Sequence, residues 1–163
     1  MNATEIKNLS QSFLIEELEK YFSIEELVDA TVARKYGRRA WRFFDRRLLD
    51  SILWVRINID ASITVNNWKW GGQFDERGLR TNISPLVRKK TGLYLSAHLR
   101  GAALDFDVKG YTAPEVREWL KDHAPELPHK IRLEDSLNGK ALSWVHLDVD
   151  SEPHNPKVYA FAV

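Results

Sequence analysis

The sequence predicts an α+β fold, with N-terminal helices packed on a small, mainly antiparallel sheet. Three observations predict it. Apolar residues recur at helical spacing over the first third of the chain. The middle then changes to short apolar runs separated by glycine-punctuated segments. Finally, Asn138-Gly139 lies between two alternating runs, a two-residue hairpin signal. No linker, internal repeat or low-complexity stretch divides the 163 residues, so one domain is expected, helical over 1–60 and α+β over 61–163.

Taken in order, FLIEELEKYF is apolar at helical spacing and reads as the first helix. SIEELVDATVARKYG begins with a capping box, Ser23 with Glu26, and stops at Gly37. The segment ending at Ile57 sets Trp41, Phe44, Leu48, Ile52 and Val55 on one helical face. SITVNNW (Ser62 to Trp68) reads as a strand and KWGGQFDERGLRTNIS as a loop. A strand is expected over Ala102 to Val108. TAPEVREWLKDH opens with a second capping box, Thr112 with Glu115, and Pro125 and Pro128 end that helix. KIRLED and LSWVHLDV are two strands of a hairpin, and KVYAFAV is the last strand.

Composition excludes several classes. The 24 basic and 23 acidic residues leave a net charge of +1, which argues against a general nucleic-acid binder. The most basic run, Arg34 to Arg47, reads as the solvated face of an amphipathic helix, with Arg38, Arg42 and Arg46 opposite Trp41, Phe44 and Leu48. With no cysteine, any metal site must be built from His, Asp and Glu. No apolar run reaches membrane-spanning length and the N-terminus lacks a signal-peptide pattern, so synthesis in the cytoplasm and no membrane partner are expected.

The chemistry concentrates in SAHLRGAALDFD, Ser96 to Asp107. On a strand from Gly101 to Val108, Ala103, Asp105 and Asp107 share one face and Leu104, Phe106 and Val108 the other. His98 precedes the strand on a segment that Gly101 allows to turn back, so His98 and Asp105 are able to converge on one ion. His146, mid-strand between apolar neighbours in SWVHLDV, is the best third ligand; the alternative is a satisfied core histidine. Two histidines and one aspartate with an open position suit zinc. His123, His129 and His154 read as loop or helix-end residues. Trp68, Trp70 and Trp144 either line a groove or belong to the core.

These residues resemble a family. Ser96-x-His98-x-x-Gly101-x-Ala103-x-Asp105, followed by Trp144-Val145-His146, is similar to the signature of the M15 zinc peptidases, which include D-alanyl-D-alanine carboxypeptidases and phage L-alanyl-D-glutamate endolysins. The Trp-Val-His-Leu-Asp form looks like the phage and prophage subgroup. The resemblance implies the hedgehog/D-Ala-D-Ala-peptidase-like fold, with zinc held by His98, Asp105 and His146. It implies a zinc-bound water attacking the scissile carbonyl of a peptidoglycan peptide. Ser96 matches the serine of the signature, a partner to ligand or substrate. Arg80 in GLRTN resembles the family's arginine, which stabilises developing negative charge or holds a substrate carboxylate; its alternative is a surface arginine. Gln73 in the same loop is a further substrate contact.

The chain departs from that pattern at one position. Many members carry Glu or Asp three residues before the last histidine as general base, and here Ser143 stands there. Glu134 is the preferred replacement, since a simple hairpin about Asn138-Gly139 sets it beside Ser143. Asp148, on the same strand face as His146, comes next, and Asp135 takes over if the register shifts by one. Asp107 either orients a ligand histidine or is a solvated strand end. Peptidoglycan peptide is the expected partner, for a monomer acting at the cell wall. A zinc-holding, non-catalytic protein of the same fold is the alternative.

Overall fold

The structure is a computed structural model describing Met1 to Val163. Four helices come first: α1 (Ala3–Asn8), α2 (Gln11–Leu18), α3 (Ala30–Tyr36) and α4 (Arg46–Asn58). After them come β1 (Ile63–Thr64), α5 (Pro85–Arg88), β2 (Ala103–Val108), α6 (Ala113–Asp122), β3 (Ile131–Leu137), β4 (Lys140–Asp148) and β5 (Val158–Ala162). The sheet order is β1-β2-β4-β3-β5, antiparallel except where β5 runs parallel to β3. The α+β class holds, with a mixed five-stranded sheet.

Local chemistry explains where elements begin and end. The Thr112–Glu115 capping box starts α6, and Asn138 and Gly139, both at positive φ, make the β3–β4 turn. The Ser23–Glu26 capping box also forms, but it starts only a 3₁₀ turn, Ile24–Glu26. Asp29 then caps α3 by accepting from the Thr31 and Val32 amides, so the expected helix over 23–37 is two pieces ending at Gly37. The helix expected from Trp41 likewise breaks, since Asp45 caps α4 and its own N–H bonds to Gly101 O. Trp41, Phe44, Leu48, Ile52 and Val55 are nevertheless all buried. The expected strand over 62–68 shrinks to Ile63–Thr64 because Asn66 is used elsewhere: its amide bridges Val28 O and the Arg77 N–H. α1, capped by Asn2 and Glu5, was not expected.

The central strands have two different faces. Leu104 and Phe106 on β2, Val145 and Leu147 on β4, and Ile131 and Leu133 on β3 are at most 1% exposed, and α6 packs over the sheet. Each such side chain contributes about 1.5–3 kcal/mol of burial. The other face is polar. Register places Asp105, His146, Glu134 and Phe161 in one row across β2, β4, β3 and β5. The row two residues along reads Ala103, Asp148, Arg132, Tyr159.

A bulge creates that register. Ser136 pairs with Ala141 next to the turn, yet Glu134 pairs with His146, so Asp135 alone opposes Leu142 to Val145. Simple counting from the hairpin places Glu134 beside Ser143, and the bulge overturns that placement. Freed carbonyls need donors, and buried Arg117 on α6 supplies them to Trp144 O at 3.1 Å and Leu142 O at 3.2 Å. No helix is long and apolar enough to cross a membrane.

Candidate metal centre

His98 stands on a short 3₁₀ turn, Ala97–Arg100, that Ser96 and Gly101 build. Ser96 Oγ accepts from the His98 N–H at 3.3 Å and caps the turn. Gly101 closes it at φ 62°, where a Cβ would lie 2.1 Å from Phe43 O, so only glycine fits. The turn thereby aims His98 at the polar face of β2.

His98 Nδ1 lies 2.8 Å from Gly78 O. A carbonyl only accepts, so Nδ1 carries a proton, and Nε2 is the ring position left to meet an ion or a second proton. Gly78 is itself confined: a Cβ there would lie 1.9 Å from Leu27 O. His98 Nε2 is buried with no hydrogen-bond partner. It sits 3.3 Å from Asp105 Oδ2 without the alignment of a hydrogen bond. Two acceptors that close repel unless positive charge lies between them. A proton on Nε2 or a bound cation satisfies the arrangement.

His146 faces carboxylates with both nitrogens, Nδ1 to Asp105 Oδ1 at 2.7 Å and Nε2 to Asp148 Oδ2 at 3.1 Å. Burial by itself would lower its pKa, but the hydrogen bonds it donates to Asp105 and Asp148 outweigh that and push it up to about 9. Asp105 shows the converse. Burial opposes its ionisation, and the two histidines outweigh burial and hold the carboxyl well below the usual range. The donor atoms of His98, Asp105 and His146 all lie within 4.8 Å of one another, so this buried group could hold a metal ion.

The surrounding groups have distinct positions. Asp148 is spent on structure: it accepts a bidentate pair from Arg132 at 2.7 and 3.1 Å, the Asp150 N–H at 3.0 Å, and His146 Nε2. That is the pattern of a carboxylate orienting a ligand imidazole. Glu134, across from His146, makes no hydrogen bond or ion pair and lines the same cleft of about 490 Å³. Burial raises its pKa, and Asp105 and Asp148 add to the rise against the pull of the histidines. Asp135 points elsewhere and accepts from Ser136 Oγ. Ser143, three residues before His146, lines a separate cavity beside α6 with Phe106, Pro114 and Val145 and does not face this cleft.

Arg80 reaches the site, with Nη2 2.9 Å from Asp105 Oδ2, held by Glu76 O at 2.8 Å and Tyr94 Oη at 3.3 Å. Gln73 lines an adjoining pocket that shares Arg80, Asp105 and Trp144 with the cleft. Asp107 turns to Arg77 at 2.5 Å instead of to a ligand. Trp144 lines the cleft, Trp68 donates to Val28 O, and Trp70 is exposed. His123 stacks on Trp119, His129 pairs with Asp50 at 2.8 Å, and exposed His154 does not line the cleft.

Sequence reasoning missed Arg132, Tyr94 and Arg117. Arg132 was legible, since strand alternation puts it on the face of Glu134. Tyr94 lies in an irregular segment and Arg117 works only through the bulge, so neither left a local signal. Comparison with protein-family models, with curated proteins and with solved structures returns no match to this chain.

Proposed function

We propose that the chain is a zinc-dependent peptidase acting on the peptide part of bacterial peptidoglycan, at the cell wall. The observation that carries the reading is the buried, unpartnered Nε2 of His98, aimed at Asp105 beside His146. The likeness of Ser96 to Asp105 and of Trp144 to His146 to the M15 signature supplies the reaction and substrate class. His98 Nε2, Asp105 and His146 Nδ1 would hold the ion, a donor set that suits zinc. A bound zinc supplies Lewis acidity to a carbonyl and to water.

The chain's own residues do the rest. Gly78 O and Asp148 fix the two imidazoles. Glu134, half-buried and unpaired, takes the proton of the attacking water on its carboxylate and passes it to the leaving nitrogen. Arg80 stands by the negative charge that grows on the carbonyl oxygen. A second reading, zinc-holding without catalysis, is favoured by one observation: Ser143 replaces the family's carboxylate and lies outside the cleft.

Digestion of purified peptidoglycan by zinc-loaded protein, with and without chelator, tests the proposal by mass spectrometry of the released peptides. Chelator-sensitive fragments are expected. A zinc-loaded protein that cuts no wall type supports the second reading.

A further inference from the structure

Charge on this chain is nearly balanced in total and unevenly distributed along the sequence. Residues 30–44 and 77–104 contain eleven of the 24 basic residues and none of the 23 acidic ones. The two segments meet, because Tyr36 and Phe43 share a cavity wall with Thr81, Asn82 and Arg100. Arg38, Arg77, Arg80 and Arg100 are occupied by Glu19, Asp107, Asp105 and Asp150. Arg88, Lys89 and Lys90 are exposed and pair with no acid.

The same loop exposes large apolar side chains beside those cations. Leu93 is 91% and Leu95 83% exposed, with Ile83 at 50% and Leu86 at 42%. Scattered apolar exposure is ordinary, but four such residues within the short basic segment 83–95 are a local concentration. We propose that the 83–95 loop docks this protein on an anionic lipid bilayer. A soluble polyanion would balance the cations and leave Leu93 and Leu95 in water. A bilayer interface satisfies both, taking apolar side chains among the acyl chains and cations at the headgroups. Leu86, Tyr94 and Leu95 also line the cleft, so docking sets its mouth beside the bilayer. The inference is independent of catalysis and of any metal.

Co-sedimentation of the full chain with phosphatidylglycerol–phosphatidylcholine vesicles tests it, in the presence of chelator. Binding is expected on these vesicles, absent on phosphatidylcholine alone and weakened by salt. Leu93→Ser, at a side chain almost wholly in solvent, should lower it about tenfold or more. The double variant Lys89→Glu/Lys90→Glu should abolish it. No binding to the anionic vesicles at low ionic strength overturns the proposal. So does binding that Leu93→Ser leaves unchanged and soluble polyphosphate competes away, which would make the loop a polyanion site.

Discussion

Asp105 and Phe106 are neighbours on β2, both buried, and their surroundings have nothing in common. Phe106 joins Val145, Leu147 and Leu133 in the continuous core. Asp105 joins His98, His146 and Arg80 in a dense set of charges. Alternation along one strand separates the two environments. The apolar face gains free energy from every side chain it removes from water. The polar face offsets a desolvation cost by pairing, and buried ion pairs are poor net stabilisers. A chain that spends a sheet face on ions is locally inconsistent with mere stability, which makes that face the candidate site.

Substituting the two neighbours should separate these contributions. Phe106→Ala should cost about 3–5 kcal/mol of stability in denaturant unfolding, while protein that remains folded still binds zinc stoichiometrically. Asp105→Ala should abolish zinc binding, read by metal analysis, and lose all chelator-sensitive cleavage, and it too should cost about 3–5 kcal/mol, because Arg80 and His146 are left without their buried partner. Metal retained in Asp105→Ala would show the ligand assignment wrong. The same loss of metal is expected for His98→Ala and His146→Ala.

Glu134→Gln sharpens the polar face further. It should keep zinc and lose about 10²–10⁴-fold in cleavage rate, the range of a positioned proton-transfer group. Undiminished activity would place the base elsewhere. Arg117→Met probes the bulge between the faces. It leaves two carbonyls without donors, at about 1–3 kcal/mol for each that stays buried and unpaired. It should also lower the cleavage rate, because the bulge sets Glu134 against His146.

Acidity should move the two properties of the polar face in opposite directions. His146 in the protein alone holds its proton up to about pH 9, above the ordinary value of 6.5. Its contribution to stability is therefore complete below pH 6.5 and lost as pH rises through 9. The melting temperature of chelated protein should fall over that window. Zinc must displace the proton, so its affinity should climb over the same window and level off above it, as measured with a competing chelator. The smallest effect belongs to Ser143→Ala, within about 0.5 kcal/mol of wild type and with unchanged activity, because Ser143 faces the α6 side.

Much of this was legible in the amino-acid order. Spacing in SAHLRGAALDFD set His98 and Asp105 on converging elements, alternation separated Asp105 from Phe106, and His146 stood out as an imidazole among strand apolars. Capping boxes and Asn138-Gly139 marked where α6 starts and the hairpin turns. These signals are local, carried by residues a few positions apart, and so they survive in the sequence. Register across the hairpin was not local. Counting from the turn set Glu134 against Ser143, and only the bulge, satisfied from the next layer by Arg117, set it against His146. One helix and one strand shortened for the same reason, as Asp45 and Asn66 gave their hydrogen bonds to distant partners. The sequence by itself determined which residues alternate and which donors could bind an ion. The tertiary structure decided which of them meet, because backbone groups freed by a bulge or a broken helix find their partners only across the fold.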